Sequence, residues 1–182
     1  MKKDYTIQTI DTLHKQWVLS LSVKRLAANE FVFENVFRIG LGWTSWGKPG
    51  DRSPGIWFKS DKLFFGYLLE HWYAHTESSA IGQWEDIEIS QLLIDGKYQI
   101  QIRIGTQIVY TLELSSASYF KNMQVMAGGP GWQTATAEIS NLNITTFYDG
   151  SAECITTGKI SCKCKPGYEP VRNGYVYSCK QG

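Results

Sequence analysis

The sequence predicts an all-β chain, an antiparallel two-sheet sandwich with a small disulfide-stapled hairpin module at its C-terminus. Three observations carry that prediction. Apolar and polar residues alternate with period two in run after run, and convincing helical periodicity is absent. Turn-forming residues separate the runs and leave no room for crossover helices. All four cysteines, Cys154, Cys162, Cys164 and Cys179, stand in the tail, and the 153 residues before them hold none.

In chain order, Trp17, Leu19, Leu21 and Val23 alternate with Val18, Ser20, Ser22 and Lys24, a strand with one buried face. Further strands are expected over Asn35–Leu41, Gly55–Phe58, Leu63–Leu69 and Trp84–Ser90. Tyr98, Ile100, Ile102 and Ile104 alternate with Gln99, Gln101 and Arg103. After Gly105-Thr106 the pattern resumes, with Ile108, Tyr110, Leu112 and Leu114 inward, so the two runs predict a hairpin. Met123–Ala127 and Ala135–Phe147 complete a set of about ten strands. Ile139 and Leu142 fall out of phase in the last run, which predicts a bulge or bend near Asn141. Lys24, Arg103 and Glu113 lie on the polar phase, as a half-solvated antiparallel sheet requires.

Alternation stops at Asp149-Gly150-Ser151, which divides the chain into a sandwich over residues 1–149 and a tail over 150–182. The tail is too small to bury a useful core alone, so cross-links are expected to substitute for one. Four cysteines permit three pairings. With Cys162 and Cys164 read as pointing to opposite sides of an extended segment, the expected pairs are Cys154–Cys162 and Cys164–Cys179. Such bonds persist in oxidising compartments, so the expected location is secreted or on the outer face of the cell.

Composition narrows the function. The 182 residues are 43% apolar and 14% aromatic, ample for a core. A net charge of +1 with interspersed signs lacks the basic stripe of a nucleic-acid binder. No apolar run approaches the ~18 residues of a membrane span, so no membrane insertion is expected of this segment. Met1-Lys2-Lys3-Asp4 is too short and polar for a signal peptide, and the ending at Lys180-Gln181-Gly182 reads as that of a piece of a longer protein.

Two resemblances add to this reading. Cys162-Lys-Cys164-Lys-Pro166-Gly167-Tyr168, closed by Cys179, resembles the second half of an epidermal-growth-factor-like module whose first two cysteines are missing. The body, over roughly residues 5–148, resembles the concanavalin-A-like (laminin-G-like) jelly-roll superfamily. The segments that carry the likeness are Gly50–Phe58, Trp84–Gln91, Gly96–Gly105, Phe120–Ala127 and Ile139–Ile144, in that order. The resemblance implies a jelly roll that binds sugars, steroids or proteins, or in some members hydrolyses glycosides.

Glycosidases of that superfamily use strand-borne acids, and retaining hydrolysis needs two carboxyl groups about 5 Å apart. In Glu85-Asp86-Ile87-Glu88, Asp86 and Glu88 share a face while Glu85 points away, so the pattern is displaced. The segment reads as a solvated outer face, and no catalytic residue is assigned. His14, His71 and His75 read as surface loop residues. Superfamily calcium sites use loop aspartates with backbone carbonyls, which leaves Asp51, Asp61 and Asp95 as possible calcium ligands; no cofactor or metal is assigned.

Aromatic residues in loops are the better lead, because loops carry binding function and aromatics anchor interfaces. Trp43, Trp46, Asp51 and Arg52 form one group, His71, Trp72 and Tyr73 a second, and Trp132 a third. Flat indoles stack on pyranose faces while Asp, Asn or Arg fix the hydroxyls. Trp57 and Trp84 are expected in the core, and Asp51 with Arg52 also reads as a structural turn pair. Asn143-Ile144-Thr145 is a glycosylation sequon. The expected function is a non-catalytic extracellular recognition module that binds glycan through these residues; a protein-interaction or adhesion domain is the alternative, and a glycosidase a distant third.

Overall fold

The structure is a computed structural model and describes residues 5–28, 32–42, 50–67, 71–128 and 133–182. All regular structure among them is strand. The strands are β1 (Tyr5–Leu13), β2 (Gln16–Arg25), β3 (Glu34–Gly40), β4 (Gly55–Lys59), β5 (Lys62–Tyr67), β6 (His71–Ser78), β7 (Trp84–Ile94) and β8 (Lys97–Ile104). They continue as β9 (Gln107–Leu114), β10 (Phe120–Ala127), β11 (Gln133–Thr134), β12 (Ala137–Phe147), β13 (Ala152–Ile155), β14 (Ser161–Cys164), β15 (Tyr168–Asn173) and β16 (Val176–Gln181). One sheet runs β1-β10-β3-β4-β5-β6, with β11 added alongside β3. A second runs β15-β16-β12-β2-β7-β8-β9, and β13 with β14 forms a separate ribbon. The chain divides into two compact units, residues 1–11, 23–85 and 121–139 in one and 12–22, 86–120 and 140–182 in the other.

In the first unit, cross-strand register fixes which side chains share a face. Gly55 lies opposite Gly66, Trp57 opposite Phe64, and Gly66 opposite Trp72. Directly opposed residues project the same way, so these five form one face of β4, β5 and β6. Ile56, Phe58, Leu63 and Phe65 occupy the other face and are buried. A two-residue turn at Ser60-Asp61, with Ser60 in the left-handed region (φ 53), sets the β4–β5 register.

In the second unit, Trp17, Leu19 and Leu21 of β2, Ile87 and Ile89 of β7, and Ile100 and Ile102 of β8 are buried, as the alternation predicts. The β7–β8 turn is Asp95-Gly96 with both residues at positive φ (52 and 78), a tight hairpin turn. The β8–β9 hairpin forms at Gly105 as expected, but Ile108 is exposed rather than inward. The register shifts between Ile102 and Arg103, so Ile108 pairs with Arg103 and leaves the apolar phase. Asn141 takes a left-handed conformation (φ 53) where the sequence predicts a bend.

The tail belongs to the second unit and does more than cross-link itself. β16 pairs with β12 in parallel, from Ile144 opposite Val176 to Phe147 opposite Cys179. Val18, Leu92, Phe147 and Cys179 form a buried cluster, against which Ala152, Ile160, Tyr168 and Tyr177 pack. A sheet face therefore supplies the core that the tail is too short to build alone. The disulfides are Cys154–Cys162 and Cys164–Cys179, the expected pairs. The expected reason is corrected, however. Cys162 and Cys164 both lie on β14, where residues two apart share a side. Cys162 meets Cys154 directly opposite on β13, and Cys164 meets Cys179 on β16.

Candidate ligand-binding face

Gly55 and Gly66 clear a slot for an indole. A methyl group at Gly55 would lie 2.2 Å from the Trp57 ring, and one at Gly66 would lie 2.9 Å from it. Trp57 is accordingly fully buried, as expected. The Trp72 ring stands 5.0 Å from that of Trp57 and remains 40% exposed. Phe33 extends the row, 6.2 Å from Trp72 and 5.0 Å edge-on from Phe64. A cation stands at each end: the Arg52 guanidinium lies 5.0 Å over Trp72 and the Lys59 ammonium 4.7 Å over Phe33.

Charge is organised beside the row. Asp51 is fully buried and receives Arg38 Nη1 at 3.0 Å, with Arg52 Nε 3.5 Å from its other oxygen. Burial pushes the Arg38 guanidinium down from its ordinary value; Asp51 opposes that shift and Arg52 adds to it. Asn35 Oδ1, Arg38 Nε, Ser53 Oγ, Gln124 Oε1 and Thr134 Oγ1 are buried with no hydrogen-bond partner among the described residues.

The structure thus brings Asp51, Arg52 and Trp72 together. Trp43, Trp46 and Trp132 lie outside the described residues. Tyr73 projects away from Trp72, stacking on Phe65 at 6.1 Å, with its hydroxyl 3.4 Å from His75 Nδ1. Burial raises the Tyr73 phenol, and the Glu77 charge adds to it. His71 lies opposite Tyr67, on the same side as Tyr73. The second aromatic group belongs to an edge strand, β6, and alternation splits it between two faces. Sequence reasoning missed Phe33, Lys59 and Phe64. The Ser60-Asp61 turn was the available signal, since it places Trp57 opposite Phe64.

Two histidine and tryptophan expectations are corrected. Trp84 is 47% exposed, at the start of β7 under the Lys24 ammonium, rather than in the core. His75 is buried in β6 rather than in a surface loop. Asp61 accepts from Ser78 Oγ, and Asp95 occupies the β7–β8 turn. Among the described residues no three His, Cys, Asp or Glu side chains are grouped to hold a metal ion. Asn143 is half-buried on β12, its amide donating to Thr145 Oγ1 at 3.4 Å.

The acidic segment behaves differently from a solvated face. Asp86 is exposed and accepts from Ser22 Oγ, but Glu88 is only 6% exposed. Its carboxylate takes Arg103 Nε at 3.3 Å and the Ile160 amide at 3.1 Å. Arg103 is buried as well and donates to Thr156 O at 3.4 Å, so the tail covers residues that the alternation assigns to solvent. Burial pushes the Glu88 carboxyl up, against the Ile160 amide and the Arg103 and Lys159 charges.

No family model and no curated protein matches this sequence. Solved structures do. The chain is similar to the native heptameric SAP-like pentraxin from Limulus polyphemus, with a TM-score of 0.54 and 16% identity over 77% of this chain and 67% of that one. The fold is a jelly-roll sandwich. Trypanosoma rangeli sialidase, in complex with sialic acid, shares it with a TM-score of 0.52 and 9% identity over 71% of this chain. The match spans 20% of the sialidase. Sheep galectin-11 in complex with glycerol aligns over 79% of this chain and 98% of its own, at 13% identity and a TM-score of 0.47.

Proposed function

We propose that this chain is a non-catalytic extracellular recognition module that binds glycan at the aromatic row of β4, β5 and β6. One observation carries the reading: Trp72 offers a half-open indole braced by buried Trp57, with the Arg52 guanidinium fixed beside it. A braced ring loses little conformational freedom on binding, and a held guanidinium gives directional donors to sugar hydroxyls. A fifth of a sialidase solved in complex with sialic acid shares this fold, in keeping with a sugar ligand here. Trp43, Trp46 and Trp132 are proposed as further contacts.

The non-catalytic reading is supported by the acids. Glu88 is buried and held by Arg103 and the Ile160 amide, so its carboxylate is engaged within the fold. The two disulfides favour an extracellular location. Residues 1–149 serve as the recognition domain, and residues 150–182, the part resembling an epidermal-growth-factor-like module, brace it.

A glycan array with the intact chain tests this. Selective binding that falls about tenfold or more in Trp72→Ala and Arg52→Ala, but not in Trp84→Ala, is the expected result. A silent array together with capture of an extracellular protein sensitive to Trp72→Ala would replace the glycan with a protein ligand. Binding indifferent to Trp72 would remove the row from the account.

A further inference from the structure

A cavity of about 180 Å³ opens within the second unit, walled by β2, β7, β8 and β12 and by the tail loop between β13 and β14. It shares no residue with the aromatic row. Asn141 Nδ2 donates to Ser22 Oγ at 3.1 Å, and Ser22 Oγ donates to Asp86 Oδ1. The left-handed backbone at Asn141 interrupts the regular strand at this point. That relay engages one oxygen of Asp86 and the amide nitrogen of Asn141. The Asp86 Oδ2 and Asn141 Oδ1 atoms remain as acceptors. Across from them, Lys159 is exposed and forms no ion pair among the described residues.

The charges on the cavity wall cancel. Asp86 and Glu88 are matched by Arg103 and Lys159, and the Glu88–Arg103 pair is closed on itself. Among the described residues no aromatic side chain lines the space. It is smaller than the ~300 Å³ lower bound for sites of drug-sized ligands. We infer that this cavity is a second ligand site, for a neutral polyhydroxylated molecule of monosaccharide size. Vicinal hydroxyls suit it because each both donates and accepts: one donates to Asp86 or Asn141 while its neighbour accepts from Lys159. A charged ligand brings a charge that the balanced wall does not offset.

The tail holds one wall in place. Lys159 and Ile160 lie inside the loop closed by Cys154–Cys162, and that loop is tied down by the Ile160 amide on Glu88 and by Arg103 on Thr156 O. Opening this disulfide frees Lys159 from the cavity.

Amide NMR titration of the full chain with methyl galactoside, methyl mannoside, methyl glucoside and N-acetylglucosamine tests the inference. At least one of them is expected to give saturating shifts at Gly105, Asn141 and Lys159, with a dissociation constant on the order of millimolar. Asp86→Ala and the surface change Lys159→Met should each weaken binding about tenfold. Trp72→Ala should leave these shifts unchanged, which separates this site from the row. The inference is overturned by no saturating shift at about 50 mM sugar, by binding unaffected in Lys159→Met, or by glucuronate binding more tightly than the neutral sugars.

Discussion

Asp51 is the residue on which the first unit's electrostatics turn. It has no exposed surface and serves two guanidiniums, Arg38 at 3.0 Å and Arg52 at 3.5 Å. A buried pair adds little net stability over an apolar replacement, yet deleting one partner leaves a charge stranded. Asp51→Ala strands Arg38, whose side chain is 1% exposed, and should cost about 3–5 kcal/mol in urea denaturation. Arg52→Ala should cost less than Asp51→Ala, because Asp51 keeps its nearer partner Arg38 and no buried charge is stranded. An Asp51→Ala variant as stable as the parent would show that Arg38 finds another partner. The sequence marked Asp51 and Arg52 in one group and Trp72 in another, and only the structure sets the Arg52 guanidinium over the Trp72 ring. Nothing in the sequence hinted at Arg38, which occupies a strand position opposite Gly55 that becomes buried only through tertiary packing. Phe33 and Lys59 needed the sheet register to be seen.

At the scale of elements, the tail strands finish a sheet that would otherwise end on β12. An open strand edge is a template for association; the parallel partner β16 covers that of β12 and moves the end of the sheet to the short strand β15. Replacing Cys164 and Cys179 together by Ser opens a link spanning 15 residues, worth about 3 kcal/mol in the chain-entropy view. For a protein of this size that corresponds to a fall in Tm of about 6–12 °C, read by thermal unfolding. An unchanged Tm would mean that packing of Tyr168 and Tyr177 alone holds the tail. The core strands were legible because β2, β7 and β8 alternate cleanly. β1 escaped notice because its apolar Ile7, Ile10 and Leu13 recur every third residue. β6 escaped because an edge strand carries few apolar residues. The pairing of β16 with β12 joins segments far apart in sequence, for which no local pattern exists.

Across the whole molecule, 18 basic and 17 acidic side chains nearly cancel, and the sequence pI is about 7.6. Many of these charges are locally spent, as in Lys24–Glu138, Lys97–Glu113 and Arg103–Glu88. A net charge of +1 gives little long-range attraction for a charged polymer, so binding at the proposed row would rest on short-range stacking and hydrogen bonding. The same balance removes the repulsion that keeps proteins apart in solution. Exposed Trp72, Ile81, Trp84, Tyr119 and Tyr148 supply apolar surface for association once repulsion is gone. Self-association at low salt, followed by static light scattering between about pH 5 and 9, should therefore peak near the pI and decline on both sides. On the acid side the decline follows a gain of net positive charge, and the protein becomes a cation. On the alkaline side it follows loss of positive charge. Association that stays level across this range instead would show that exposed aromatic surface, and not charge balance, governs the contacts.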